Sequence, residues 1–311
     1  MIWLIGAGGM SVDYVKVLAA QEQEFKVIGR SESSATTFEE KTGQKVVVGG
    51  VEKYLETSPQ KPDAAIVSVG IDQLYNTTMM LLEYGVDKIL VEKPGAKKVE
   101  EIRMLANLAR EKNSKVFIAY NRRFYASVCK LKENLMAEGG ITSFNFEFTE
   151  WAHVIETLNK PKDELSNWFL ANSTHVVDLA FHLGGKPREL SSYVGGELEW
   201  HPSGAVFSGA GISVHGALFN YMANWSSAGR WSLEFLTKKS RYYLKPMEKI
   251  QRQLNGTIKI EPVEIESQLD DEFKPGLYLQ TKAFLEGDSE NLCHIDEHVE
   301  SMTFYQKIAN Y

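Results

Sequence analysis

The chain has 311 residues, 43% of them hydrophobic and 24% charged, enough apolar content for sizeable cores and a length that favours two domains. Its formal net charge of −7 offers no electrostatic footprint for DNA, RNA or an anionic membrane, so an anionic ligand must be held by local groups. Two distant cysteines, Cys129 and Cys293, exclude a disulfide framework and a cysteine-type zinc cluster, and fit a reducing compartment.

The sequence opens on an apolar run at residues 2–5, with no basic leader before it and far too short to span a membrane. The expectation is a cytoplasmic protein. Further apolar runs at 25–28, 46–48, 64–69, 88–91 and 116–119 are separated by helical periodicity at 11–21, 73–84 and 97–112. In the first helical stretch Val12, Val15, Leu18 and Ala19 share one face. Unbroken apolar strands alternating with helices predict a parallel sheet covered on both faces, the doubly wound α/β pattern. Its ligands sit at the carboxyl ends of the strands. The first domain is expected over 1–119 and the second over 120–311.

The first strand runs into Gly6-Ala7-Gly8-Gly9-Met10-Ser11. Gly6 permits a tight turn, Gly8 lets backbone approach a pyrophosphate, and the small Ser11 stands where close helix–strand packing is needed. The helix that follows aims its first N–H groups at the phosphates, with Gly9 and Met10 among them. An acidic residue for ribose hydroxyls is missing at the end of the second strand, Val27-Ile28-Gly29-Arg30-Ser31. Arg30 there suits a 2′-phosphate, with Ser31 and Ser33 as hydroxyl donors, so NADP is favoured over NAD. A solvated Arg30, or one stacked on adenine, is the alternative. Val69, Glu92 and Lys93, at later strand ends, complete the expected cofactor set.

From about residue 141 the texture becomes strand-rich. Phe144, Phe146 and Phe148 alternate with polar neighbours as in a half-buried strand, and further strands are expected at 189–200, 212–225, 231–236 and 240–244. Successive strands without intervening helices predict a mainly antiparallel sheet. Residues 172–185 read as a helix, with Asn172 or Ser173 as cap and Gly184-Gly185 as stop. His175, Asp178 and His182 lie near one face of it; such a trio is more often hydrogen-bonded packing than a metal site, and no metal is expected. Asn121, Arg122 and Arg123 either bind substrate hydroxyls or an acidic group, or are surface residues. Asn172 and Tyr278 are substrate candidates, Tyr278 equally readable as a buried aromatic. Trp151 and His153 are weaker cleft candidates.

Strand 88–91 is followed by Glu92-Lys93-Pro94, where proline forces the chain to turn at the ligand-binding edge. Together with the glycine-rich first turn, the run Tyr84-Gly85-Val86-Asp87-Lys88-Ile89-Leu90-Val91-Glu92-Lys93-Pro94 resembles the fifth-strand signature of the Gfo/Idh/MocA oxidoreductase family. Tyr120-Asn121-Arg122-Arg123-Phe124 resembles that family's lead-in to the second domain. The resemblance implies a Rossmann domain plus a C-terminal α+β domain with a large, mainly antiparallel open sheet, through which members form homodimers or homotetramers. It implies substrates of the sugar, nucleotide-sugar or cyclitol type, and hydride transfer between NADP or NAD and a carbinol or carbonyl carbon. It makes Lys93 and His175 the catalytic pair at the reacting oxygen, with Asp178 orienting or structural. Ala171 departs from the pattern, standing where the family often has an aspartate. That departure leaves open a cofactor-retaining epimerase or lyase, or a dinucleotide-responsive regulatory protein without catalysis.

Overall fold

The computed structural model describes residues 1–311, which form two compact units: Met1–Asn121 with Asp270–Glu300, and Arg122–Leu269 with Ser301–Tyr311. The first unit begins β1 (Ile2–Ile5), α1 (Gly9–Ala20), β2 (Phe25–Ile28), α2 (Glu32–Thr42), β3 (Val46–Val47) and α3 (Gly50–Glu56). It continues β4 (Ala64–Val67), α4 (Ile71–Tyr84), β5 (Lys88–Val91), α5 (Val99–Lys112) and β6 (Lys115–Ile118). All six strands pair in parallel, in the order β6-β5-β4-β1-β2-β3. β1 and β4 are buried at every residue, which is why they read as unbroken apolar runs. One face of the sheet, with Trp3, Ile5, Val67, Ile89 and Val91, forms a core with Leu74 and Leu81 of α4 and Ile102 and Leu105 of α5. Strand order reverses between β1 and β4, so the crevice that binds ligands in such folds opens at their carboxyl ends.

The second unit follows a short 3₁₀ turn at Asn121–Phe124 with α6 (Ala126–Ala137), β7 (Ser143–Glu147), α7 (Ala152–Ile155) and α8 (Lys162–Ser166). A π-helical turn, Phe169–Ser173, leads into α9 (Thr174–Gly184). The strands then run β8 (Pro187–Gly195), β9 (Val206–Ser213), β10 (Leu218–Asn224), β11 (Ser232–Leu236), β12 (Ser240–Leu244), β13 (Gln251–Leu254) and β14 (Ile260–Pro262). They join β7 in one sheet of order β14-β13-β12-β11-β7-β10-β9-β8, antiparallel except where β7 meets β10. The apolar stripe of α9 lies on its inner face: the Phe181 ring is 6.0, 5.4 and 5.1 Å from those of Phe144, Phe146 and Phe219. A Cβ at Gly184 would sit 2.3 Å from the Phe144 ring, so glycine there serves close helix–sheet approach as well as helix termination. On the outer face Tyr193, Val206, Leu218 and Met222 are exposed.

The run expected as one strand at 212–225 is a hairpin, because Gly216, at φ 83°, turns the chain between β9 and β10. The strand expected at 189–200 ends at Gly195. β13 and β14 carry no inward apolar alternation and lie at a sheet edge, which left them invisible to periodicity.

The last elements are α10 (Gln268–Glu272), α11 (Leu277–Glu286), β15 (Cys293–His294) and α12 (Ile295–Ala309). β15 pairs antiparallel with β6 and extends the first unit's sheet to seven strands, while Phe284 of α11 packs edge-on against Phe117 at 6.2 Å. Both cysteines are free thiols, and no helix is long and apolar enough to cross a membrane.

One buried ion pair ties the start of the second unit to α9. Arg123 donates from Nη2 and Nε to the two carboxylate oxygens of Asp178, at 2.6 and 2.8 Å, with both side chains at most 3% exposed. Removing one partner strands the other charge in low dielectric, which typically costs about 3–5 kcal/mol. Asp178→Ala is therefore expected to lower the urea midpoint by that equivalent; a loss below about 1 kcal/mol would show the pair to be dispensable.

Candidate active site

At the end of β1 the backbone at Gly6 adopts φ 121°, and a Cβ there would lie 2.1 Å from the carbonyl oxygen of Ser68 beyond β4. Only glycine lets the chain pass this point. Ser11, fully buried on α1, donates from Oγ to that same carbonyl at 3.3 Å, the close helix–strand contact its position in the turn requires. Gly8, in an extended conformation, precedes α1, whose first backbone bond runs from Val12 N to Gly8 O. The N–H groups ahead of that bond have no intrahelical acceptor. A Cβ at Gly8 or Gly9 would meet nothing within 4 Å, so bare backbone faces open space beside those donors. That is a cradle for a pyrophosphate, and a dinucleotide fits it.

Arg30 follows β2 with an exposed side chain that makes no ion pair with the chain. Its backbone carbonyl accepts from Gly49 N. Ser31 caps α2, its Oγ accepting from Ser34 N at 3.3 Å, and lies 3.4 Å from the Ser33 hydroxyl. Met10 and Val69 are half-buried at the same edge.

The Lys93 turn is held from several sides. Glu92 N donates to Val67 O at 2.9 Å, continuing the sheet one residue past β5, and Gly95 N closes the turn onto Glu92 O at 3.0 Å. Tyr14, from the buried face of α1, donates its hydroxyl to Glu92 Oε1 at 2.9 Å. Fully buried His298, from α12, donates from Nε2 to Pro94 O at 2.9 Å. Lys93 thus stands between two residues whose backbone or side chain is clamped. Desolvation pushes the Glu92 carboxyl above the usual range, opposed by the Lys93 charge and the Tyr14 hydrogen bond. Neither Tyr14 nor His298 carries a local sequence signal beyond lying in an amphipathic helix.

In the second unit His175 is 6% exposed in the first turn of α9, and its ring centroid is 6.3 Å from that of Trp231. Asn172 and Ser173 do not cap the helix, because both lie in the π-helical turn with helical backbone. Instead Asn172 Nδ2 and Ser173 Oγ donate to Oε1 of Glu150, at 3.0 and 2.8 Å. Arg230 Nη1 donates to Oε2 of the same group at 3.1 Å. Glu150 is 1% exposed; burial raises its pKa, and the Ser173 bond and the Arg230 charge pull it back. Residue 171, an alanine, offers no polar side-chain atom, and the buried carboxyl beside this turn comes from Glu150 in the segment that follows β7. Sequence reading missed Glu150, although the alternation 144, 146, 148 extends to 150 and places it on the inward face.

The remaining candidates are dispersed. Arg122 lies on Trp231, its guanidinium carbon 4.9 Å from the ring, while Arg123 is committed to Asp178. Asn121, in the first unit, donates from Nδ2 to Pro275 O at 2.8 Å. Tyr278 is half-buried, its ring 5.0 Å from Phe273 and its carbonyl accepting from Gln21 Nε2. Trp151 is exposed and pinned through Nε1 to Gly229 O; His153 is exposed on α7.

Comparison with known proteins bears on both units. Residues 1–120 match the model of the GFO_IDH_MocA family, described as an oxidoreductase family with an NAD-binding Rossmann fold. Comparison with curated protein sequences returns no match. Among solved structures the chain is similar to a UDP-N-acetylglucosamine 3-dehydrogenase, GnnA, from Acidithiobacillus ferrooxidans: 14% identity, TM-score 0.76, covering 99% of this chain and 95% of that one. It is similar to a levoglucosan dehydrogenase in complex with NADH and L-sorbose, at 15% identity and TM-score 0.80, covering 99% and 95%. It is also similar to the WlbA dehydrogenase from Chromobacterium violaceum in complex with NADH and UDP-GlcNAcA, at 15% identity and TM-score 0.72, covering 97% and 90%. At such identities the likeness is one of fold, and it extends over both units.

The Tyr14 bond to Glu92 yields a signed expectation. Because that bond favours the ionised carboxyl, Tyr14→Phe should raise the Glu92 pKa further, read by carboxyl-carbon NMR titration. A group whose folded pKa is raised contributes stability below its unfolded value and loses it as pH rises through the folded one. The variant's stability should accordingly start to decline at the same pH as the wild type's, set by the unfolded carboxyl, and go on declining to a higher pH. A Glu92 titration unmoved by the substitution would remove Tyr14 from this role.

Proposed function

We propose that this chain, whose residues 1–120 belong to the Gfo/Idh/MocA oxidoreductase family, reversibly oxidises a carbinol carbon of a sugar, nucleotide sugar or cyclitol with NADP. The observation that carries the proposal is the clamped Lys93 turn at the carboxyl edge of a sheet whose glycine cradle suits a dinucleotide. Gly6, Gly8, Gly9 and Met10 hold the pyrophosphate against the start of α1, with Val69, Glu92 and Lys93 bordering the nicotinamide. When bound, the nicotinamide supplies the hydride chemistry. Lys93 hydrogen-bonds the reacting oxygen and stabilises developing alkoxide charge. His175 exchanges the hydroxyl proton. Arg30 pairs with the 2′-phosphate, and its exposure without an ion pair supports that reading.

The printed names of the similar dehydrogenases, which concern sugars and nucleotide sugars, support the substrate class. The exposed Tyr193, Leu218, Val206 and Met222 on the outer sheet face support a homodimer or homotetramer built through it. Two free thiols suit a cytoplasmic setting.

Lys93→Ala is expected to reduce turnover of any accepted sugar about a hundred- to a thousandfold while nucleotide affinity changes little. Steady-state kinetics with a parallel fluorescence titration of reduced nucleotide measures both, and wild-type turnover in the variant would sink the assignment. For the cofactor, Arg30→Ala should weaken NADPH binding by about tenfold or more and leave NADH binding unchanged. Wild-type protein that binds NADH as tightly as NADPH, with no loss in the variant, would reverse the preference.

A further inference from the structure

Trp231 is a meeting point in the second unit. Its ring has the His175 imidazole at 6.3 Å, the Arg122 guanidinium carbon at 4.9 Å and that of Arg230 at 4.7 Å. Arg230 also lies on the Trp151 ring at 4.9 Å, and Trp151 is fixed in turn by its hydrogen bond to Gly229 O. A long, mobile side chain is thereby held against two indoles before any ligand arrives, in contacts that suit a planar, delocalised cation.

Only Nη1 of Arg230 hydrogen-bonds to the chain, to Glu150, and the side chain remains 47% exposed, so most of its donor fork faces outward. Arg122 is near enough for the two like charges to oppose each other: burial lowers its pKa, and the Arg230 charge pushes the same way. Tyr125, Glu248 and Glu150 act in the opposite direction. Two guanidinium groups share one indole beside His175, and Arg230 is paired with Glu150. Such a concentration on a chain of net charge −7 needs a local purpose.

We propose that Arg230, together with Arg122, binds an anionic oxygen group, carboxylate or phosphate, carried by the substrate, and that Glu150 occupies Arg230 in its absence. The proposal rests on the reading of the chain as a sugar-directed oxidoreductase, and assigns the substrate's charge within that reading. Glu150 competes for the same guanidinium, so its removal strengthens the anion's hold. That sign is opposite to what a purely structural carboxylate gives.

The test is calorimetric titration of the full chain, with NADPH present and at low salt, using D-glucuronate, D-glucose 6-phosphate and D-glucose as probes. At least one anion is expected to bind about tenfold or more tightly than glucose, the tighter of the two identifying carboxylate or phosphate. Arg230→Gln should erase that preference, Arg230→Lys should restore part of it through a point charge, and Glu150→Gln should tighten the anion several-fold. Glucose binding as tightly as both anions, no anion binding at all, or unchanged anion affinity in Arg230→Gln would each overturn the proposal. Nicotinamide absorbance separates this from the parent reading. Turnover of neutral sugars without preference for an anion overturns the anion site alone. Arg230-dependent anion binding with no turnover of any sugar supports the site and overturns the oxidoreductase reading.

Discussion

The organisation of the first unit depends on the close approach of two backbones, Gly6 at the end of β1 and Ser68 at the end of β4. These are the strands between which the sheet changes direction, and no side chain fits where they pass. The constraint has two effects. It lets α1 start immediately after the strand, with Ser11 packed on the Ser68 carbonyl, and it leaves Gly8 and Gly9 as bare backbone over open space. A steric requirement of the fold thus becomes a surface for phosphates, because the groups left unpaired at a helix start are donors.

The same helix reaches the neighbouring turn. Tyr14, three residues along α1 from Ser11, is buried and meets Glu92, while His298 secures Pro94 from the far end of the chain. A lysine between two such points has few ways to move without breaking buried hydrogen bonds. Loss of a partner for a buried polar group typically costs about 1–3 kcal/mol, enough to hold a loop in one conformation. The desolvated Glu92 carboxyl beside it keeps the local charge responsive to that geometry.

In the second unit the governing interaction is burial of a carboxyl group just past the end of an aromatic strand. The inner face of β7 is built from Phe144 and Phe146, and Phe148 extends the alternation past its end; the next inward position is Glu150. Isolated in that setting an ionised carboxylate would cost several kcal/mol, so the surroundings must donate to it. Asn172 and Ser173 are drawn from helix capping to this task, and Arg230 is brought from the segment ahead of β11. Ala171, which reads in sequence as a missing acid, sits beside a turn whose neighbours already serve one.

Local backbone requirements could be read directly from the residues: the glycine turn after β1, proline ending β5, Gly184-Gly185 ending α9, and the unbroken apolar strands of a sheet covered on both sides. Each is legible because its cause lies within a few positions of the residue itself. The hairpin at Gly216 and the polar edge strands β13 and β14 escaped, since an apolar run conceals a turn and an edge strand needs no inward pattern. What only the tertiary structure decided is which polar groups answer one another. Glu150 finds Asn172 at a separation of 22 residues and Arg230 at 80, and His298 finds Pro94 at 204. Arg123 turned out to be committed to Asp178, 55 positions away, while its neighbour Arg122 lies on Trp231. Hydrogen bonds and ion pairs act over a few ångströms whatever the distance along the chain, so residue type announces the need for a partner and folding alone selects it.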